Sequence, residues 1–310
     1  MFLYRFVAIL LSAALVFCGC AEVDEEPPVS AAETEVREKP YPVTVGSLIF
    51  NEQPQTVGSL SPAVTEMICE LGYSDKIIGR SSYCDYPESI AAKVSLGSAA
   101  NPDAEAVIAA SPQLLISQSP IAKKDITAIE NAGTRVLIIP APNSVEELYS
   151  RYNELAAVFG GRLSCAEAAD DAMKPLSDAL RQAEGSMGSF IYIMSPELAA
   201  ASDSTFAGSF FSNFGTNAVG EHEDIFLTSE ELSGLDPEWV ILSEAMAADP
   251  PNSVASLNAF QNGKMILLDN EALERIERPT SRLSETVYDV LEQIRAVSPE
   301  DDENDETDDE

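Results

Sequence analysis

Glu105-Ala-Val-Ile-Ala-Ala-Ser-Pro112-Gln-Leu-Leu-Ile116 and Glu230-Glu-Leu-Ser-Gly-Leu-Asp-Pro237-Glu-Trp-Val-Ile241 are two versions of one pattern, one in each half of the chain. In each block a Glu opens a short helical stretch, a Pro follows seven positions later, and an apolar, strand-like run begins two residues after the Pro. Segments 61–72 and 204–215 form a second pair, with equal length, a polar first residue and a Gly at the end. The repeats predict two related α/β lobes, which could close on something held between them.

Strand-like and helix-like runs alternate through the rest of the chain. Ser61 and Pro62 are start signals for a helix over residues 63–71. Two helical stretches lie between the two blocks, over about residues 145–159 and 163–183. The second stretch has apolar residues three or four positions apart. Pro175 lies inside that stretch and predicts a kink or a break. The alternation indicates mainly parallel sheets covered by helices, in two lobes with separate cores.

The ends of the chain differ from this body in composition. Residues 1–19 have the charge and the short apolar run of a signal peptide, and Cys20 follows a Gly in a manner typical of a lipidated bacterial Cys. Ordinary secretion with a cleaved peptide is the alternative. Residues 20–54 are acidic and contain Pro, which predicts a flexible tether, and residues 299–310 predict a disordered acidic tail.

These boundaries divide the body into three parts. We expect an N-terminal lobe over residues 55–162, an interdomain helix over 163–185 and a C-terminal lobe over 186–298.

Composition excludes several functions. The net charge of −34 disfavours nucleic acid as a partner. Cys69, Cys84 and Cys165 are dispersed and do not form a disulfide framework or a redox pair. His222 is the single His, which excludes a multi-His metal site and disfavours a Ser-His-Asp site. We therefore expect a monomer without catalytic residues, resident metal or cofactor, which is not an enzyme.

Ordered motifs in both halves resemble a known family. SLSPAVTEMICELG, GRSSYCDYPE and LGSAANPDAEAVIAASPQLLI, followed by STFAGSFFSNFGTNAV, TSEELSGLDPEWVIL and RPTSRLSETV, are similar to bacterial ABC-transporter solute-binding proteins for cobalamin and ferric siderophores. The resemblance covers residues 55–294. It implies a bilobed periplasmic-binding-protein fold, with two Rossmann-like lobes joined by a long rigid helix. It also implies an extracytoplasmic, membrane-anchored lipoprotein that delivers its ligand to a permease dimer with its ATPase.

The repeated Glu gains a role from this resemblance. In the family, one surface Glu on each lobe docks with arginines of the permease, and the matching positions are Glu105 and Glu230. The alternative is local, because acidic residues stabilise any first helical turn and Thr228-Ser-Glu-Glu231 is also a capping box.

Loops that follow strands provide the candidate ligand residues of the first lobe. Tyr83, Asp85 and Tyr86 follow one predicted strand, and Ser61 and Pro62 follow its neighbour, where open α/β sheets present ligand sites. Aromatic rings there could cover a flat ligand. Alternatively, the tyrosines could pack on their own lobe.

The second lobe offers cations. Arg275 and Arg278 are placed in a loop before Pro279, where they could bind an anionic ligand group or pair with Glu274 and Glu277 at the surface. We expect Arg282 to help fix the last helix.

The ligand itself is predicted from the resemblance. The loop over residues 81–87 is similar to the cobalamin-binding version, which favours a corrinoid over a ferric siderophore. Haem would need an axial ligand, for which His222 or a cleft Tyr is available. Residues 98–100 are Ser-Ala-Ala where an aromatic is common, which predicts a wider pocket. An enzyme on a similar scaffold is disfavoured because catalytic motifs are lacking, and a surface module without transport is a third possibility.

Overall fold

The computed structural model describes residues 38–221 and 226–297. Cys20, His222 and the predicted acidic tail lie outside the described residues. In those two ranges, every helix is too short or too polar to serve as a membrane span.

A short antiparallel hairpin opens the described chain. Strand β1 (Val43–Val45) pairs with β2 (Leu48–Phe50), and Val43 lies opposite Phe50. Phe50 is fully buried and belongs to the main hydrophobic core. The predicted tether over residues 20–54 was therefore too long, because two three-residue strands are too short to show a periodic pattern.

The first lobe is built on one parallel five-stranded sheet, ordered β5-β4-β3-β6-β7. Its strands are β3 (Val57–Ser59), β4 (Ile77–Arg80), β5 (Val94–Ser95), β6 (Leu114–Ser117) and β7 (Arg135–Ile138). Its helices are α1 (Pro62–Glu70), α2 (Glu88–Ala91), α3 (Ala104–Ala110) and α4 (Lys123–Asn131). Because the strands are parallel, the loops that follow β3, β4, β5 and β6 meet at one edge of the sheet.

Two glycines in the central strands make room for a side chain that covers the sheet. A Cβ added at Gly79 would lie 2.6 Å from Leu96, and one added at Gly58 would lie 2.7 Å from Leu96. Leu96 is fully buried. The glycines therefore let this leucine sit directly on the backbone of β3 and β4.

Two long helices connect the lobes. Helix α5 (Val145–Gly160) follows β7, and α6 (Cys165–Ala183) leads to the second lobe. The bridge was predicted over residues 163–185, with a kink or break at Pro175; the helix runs over Cys165–Ala183 with Pro175 inside it, so it is not split in two there.

The second lobe has a parallel four-stranded sheet, ordered β11-β10-β8-β9. Its strands are β8 (Ser189–Tyr192), β9 (Thr216–Asn217), β10 (Trp239–Ser243) and β11 (Met265–Leu268). Its helices are α7 (Phe206–Phe211), α8 (Ser229–Leu235), α9 (Glu244–Ala248), α10 (Asn252–Ala255), α11 (Asn258–Gln261), α12 (Asn270–Glu277) and α13 (Leu283–Val297). Both sheets confirm the α/β fold class.

The two lobes share one hydrophobic core, contrary to the expectation of separate cores. A continuous cluster of buried side chains includes Met67 of α1, Tyr152 of α5, Leu176 of α6, Phe210 of α7 and Val287 of α13. The outer face of each sheet has its own smaller cluster. Close packing across the joint resists relative motion of the lobes.

The internal repeat is confirmed in detail. Helices α3 and α8 each have seven residues, and each ends at a residue in the left-handed conformation, Ser111 at φ 52° and Asp236 at φ 40°. A Pro and then a central strand follow in both lobes. Val107 and Leu232, two positions after the repeated Glu, are both fully buried.

Candidate ligand cleft and docking surface

A cavity of about 390 Å³ lies where the strand ends of the first lobe face the second lobe. Its first-lobe lining comes from the loops after β3, β4, β5 and β6, and Glu277 and Arg278 line it from the second lobe. Four of the predicted ligand residues line this cavity, namely Ser61, Pro62, Tyr83 and Arg278.

One wall of the cavity is formed by small residues. Ser98, Ala99 and Ala100 line it, as the Ser-Ala-Ala sequence led us to expect. Tyr83 also lines the cavity, and 64% of its surface is exposed. Its ring is free to cover an apolar ligand surface.

Ser61 and Gln118 form the polar floor of the cavity. Ser61 caps α1 by accepting a hydrogen bond from Val64 N at 3.4 Å, and its hydroxyl donates to Gln118 Oε1. Gln118 Nε2 is buried and has no hydrogen-bond partner among the described residues. The sequence analysis missed Gln118, although a polar residue directly after the buried strand β6 was an available signal.

A second pocket, of about 300 Å³, adjoins Arg278 and contains a group of charged residues that we call the charged junction. It comprises Glu66, Asp85, Tyr86, Glu271, Glu274, Arg275, Arg278 and Arg282. Three predicted ligand residues, Asp85, Tyr86 and Arg275, lie here and not in the lining of the 390 Å³ cavity. Arg278 Nη1 donates to Asp85 Oδ1 at 2.9 Å and so links the two lobes.

Arg275 and Arg278 were predicted to lie in a loop, and this prediction was wrong. Arg275 is in the last turn of α12, and Arg278 caps that helix. The Arg275 guanidinium lies 2.7 Å from Glu285, 3.2 Å from Glu271 and 3.6 Å from Asp289. It is thus held by carboxylates of its own lobe, although not by the Glu274 and Glu277 proposed from the sequence.

Arg282 spans the lobes and does not merely fix the last helix. Its guanidinium donates to Glu66 of α1 at 3.1 Å and lies 3.8 Å from the ring centroid of Tyr86. The Tyr86 ring thus contacts the opposite lobe, which argues against packing on its own lobe alone. Burial raises the pKa of the Glu66 carboxyl to about 7, although Arg282 lowers it in part.

A third link between the lobes lies beside this pair. Tyr152 of α5 donates its hydroxyl proton to Glu70 of α1 and accepts a hydrogen bond from Ser281 N at 2.8 Å. Burial, and then the charge of Glu70, hold the pKa of Tyr152 well above its ordinary value. The backbone before α13 is therefore fixed to the first lobe.

Glu105 and Glu230 occupy equivalent places. Each is exposed at the second position of its helix, in α3 and α8 respectively. The Thr228–Glu231 capping box is present, so it is Glu231 that supports the helix start and Glu230 that faces solvent. Among the described residues, no group of three or more His, Cys, Asp or Glu is arranged to hold a metal ion.

Two parallel-sheet lobes, a helical bridge and a cavity at the strand ends define a two-lobed solute receptor. The chain belongs to the periplasmic binding protein family, whose model matches residues 57–272. Membership implies an extracytoplasmic location and an ABC permease with its ATPase as partners.

Two relatives match over most of their length. An uncharacterized ABC transporter substrate-binding lipoprotein, YvrC of Bacillus subtilis, is 24% identical over 93% of this chain and 95% of its own. A cobalamin-binding protein of Halobacterium salinarum is 22% identical over 85% of this chain and 78% of its own.

Solved structures share the fold but have different ligands in their names. The periplasmic vitamin B12 binding protein BtuF of Vibrio cholerae matches with a TM-score of 0.62 at 20% identity, over 79% of this chain and 98% of that one. The periplasmic heme-binding protein BhuT, in complex with two hemes, matches with a TM-score of 0.62 at 17% identity, over 78% and 98%. The ligand must therefore be argued from the residues of the cleft.

Proposed function

We propose that this protein captures a corrinoid in the 390 Å³ cavity and delivers it to an ABC importer. The observation that carries the proposal is the character of the lining. Small residues and one exposed Tyr surround the cavity, and its cation, Arg278, already has a carboxylate partner in Asp85. Among the described residues, such a lining offers no unpaired cation to an anionic ligand. It suits a large, mostly neutral ligand that places one of its edges in the cavity.

The relatives support a corrinoid without deciding it. The Halobacterium relative is named for cobalamin and the Vibrio structure for vitamin B12. A haem or ferric-siderophore ligand is the second candidate, favoured by the exposed Tyr83 hydroxyl, which could ligate iron.

Capture requires no covalent chemistry in this proposal, and the protein acts as a monomer and not as an enzyme. The shared core and the three links between the lobes favour small movements on binding. Glu105 and Glu230, exposed at the same register of the two lobes, would pair with cations of the permease. A lipid on Cys20 would hold the receptor at the membrane.

The deciding experiment is a titration of the purified chain with cyanocobalamin, cobinamide, haem and a panel of ferric siderophores, followed by absorbance and by melting temperature. We expect sub-micromolar binding of a corrinoid with a large rise in Tm. Tight binding of haem or a siderophore alone would replace the corrinoid by the second candidate. Binding of none would overturn the proposed function.

A further inference from the structure

The hydrogen bond to Ser61 orients the Gln118 amide at the floor of the cleft. The Ser61 hydroxyl accepts a hydrogen bond from Val64 N and donates its proton to Gln118 Oε1. With the amide oxygen turned to Ser61, the Nε2 group faces away from it. Gln118 lines the 390 Å³ cavity together with Ser61.

The Nε2 group of Gln118 has no partner in the part of the chain that the structure describes. It is buried and has no hydrogen-bond acceptor among the described residues. A buried donor without an acceptor destabilises a fold, so an acceptor that enters the cavity would stabilise the bound state. A ligand oxygen in the cavity would be that acceptor.

The charges around Gln118 indicate what kind of oxygen this is. Arg278 and Glu277 carry opposite charges in the same lining, and Arg278 is paired with Asp85 at 2.9 Å. A carboxylate entering this site would meet a cation that is already neutralised. A neutral carbonyl oxygen accepts one hydrogen bond from an amide without needing a counter-charge.

We propose that Gln118 is a specificity-determining residue, which donates a hydrogen bond from Nε2 to a neutral carbonyl oxygen on the ligand. The amide side chains at the edge of a corrinoid carry such oxygens, whereas haem propionates and siderophore carboxylates are anionic. This inference rests on the proposed function, because it names the contact that would select a neutral ligand in the same cavity.

The test uses the full chain with cyanocobalamin as the probe. Gln118→Met removes the donor while keeping the length of the side chain, and Gln118→Glu replaces the donor by an acceptor of the same shape. We expect Kd to rise about tenfold for Gln118→Met and further for Gln118→Glu. The Tm of the ligand-free Gln118→Met protein should change little, because removal of the unpartnered Nε2 donor offsets the loss of the acceptor for the Ser61 hydroxyl. Gln261→Met, on an exposed helix of the second lobe, is the control and should change neither quantity.

The outcomes separate this inference from the function on which it rests. Unchanged cyanocobalamin affinity in both Gln118 variants would overturn the role of Gln118 and leave the proposed function in place. A lowered ligand-free Tm with unchanged Kd would likewise overturn it in favour of a structural role. If the wild-type chain binds no corrinoid, the proposed corrinoid function and this inference fail together.

Discussion

Arg278 Nη1 lies 2.9 Å from Asp85 Oδ1, so the cation in the cavity lining of one lobe is neutralised by a loop of the other. The Asp85 side chain is 62% exposed and that of Arg278 26% exposed. A pair this open contributes at most about 1 kcal/mol to stability. Its larger effect is on the charge that a ligand encounters.

Replacing Asp85 should change ligand preference more than stability. In Asp85→Asn, Arg278 loses its carboxylate, and the cavity becomes attractive to anions. We expect haem affinity to rise several-fold while cyanocobalamin affinity changes less than twofold, with a small change in Tm. Asp75→Asn, an exposed Asp of the same lobe, is the control. Equal changes for both ligands would contradict this view of the pair.

Glu66 should make stability depend on pH. Its folded pKa of about 7 lies above the ordinary value of 4.5, so the folded state binds the proton more tightly. The contribution of Glu66 to the free energy of unfolding is fully present below about pH 4.5 and is lost as the pH rises through 7. Its total size is at most about 3 kcal/mol. Tm should therefore fall between pH 5.5 and pH 8 more in the wild type than in Glu66→Gln.

The neighbours of Glu66 refine this test. Glu70, whose pKa is also raised by burial, adds to the slope with the same sign, whereas Arg282 and Arg278 oppose the shift of Glu66. Glu105→Gln, at an exposed helix position, should retain the wild-type slope. A Glu66→Gln slope equal to that of the wild type would show that the carboxyl is ionised throughout.

Gly79→Ala should destabilise the protein by about 1–3 kcal/mol in a urea titration, since its new methyl group would overlap Leu96. Combination with Leu96→Ala should give less than the sum of the two effects. The matched control is Gly234→Ala within α8, where a Cβ meets nothing within 4 Å. That change should be neutral or stabilising by up to about 1 kcal/mol. Equal losses at both glycines would rule out the contact with Leu96 as the cause.

Glu105→Gln and Glu230→Gln should separate binding from delivery. Both side chains are exposed and neither lines the cavity, so the Kd for ligand should stay within twofold of the wild type. Uptake by cells carrying the receptor and its importer should fall at least tenfold in the double variant. Glu146→Gln, exposed in the first turn of α5, should leave uptake unchanged. Full uptake with the double variant would exclude the docking role.

Patterns that are local in the sequence predicted the fold well. The Glu-to-Pro repeat predicted both helix–strand pairs, α3 with β6 and α8 with β10. It could do so because the start of the helix, its left-handed end and the buried strand all lie within about a dozen residues. Helix α12 was missed, since its charged residues outnumber its apolar ones, and with it the true place of Arg275.

Contacts between distant residues could not be predicted in the same way. Nothing near Glu66 in the sequence indicates a partner 216 positions away, yet Arg282 is the residue that it meets. Gln118 is similar, because its unpaired Nε2 group becomes visible only when Ser61 has been placed beside it. Long-range pairing of this kind depends on how the two sheets are joined.

The shared core that passes from Met67 through Leu176 to Phe210 has a consequence for transport. A receptor whose two lobes are packed on each other can change its shape only slightly when a ligand binds. An importer that meets it would have to distinguish full from empty by the atoms exposed at the mouth of the cleft, those of the cargo included.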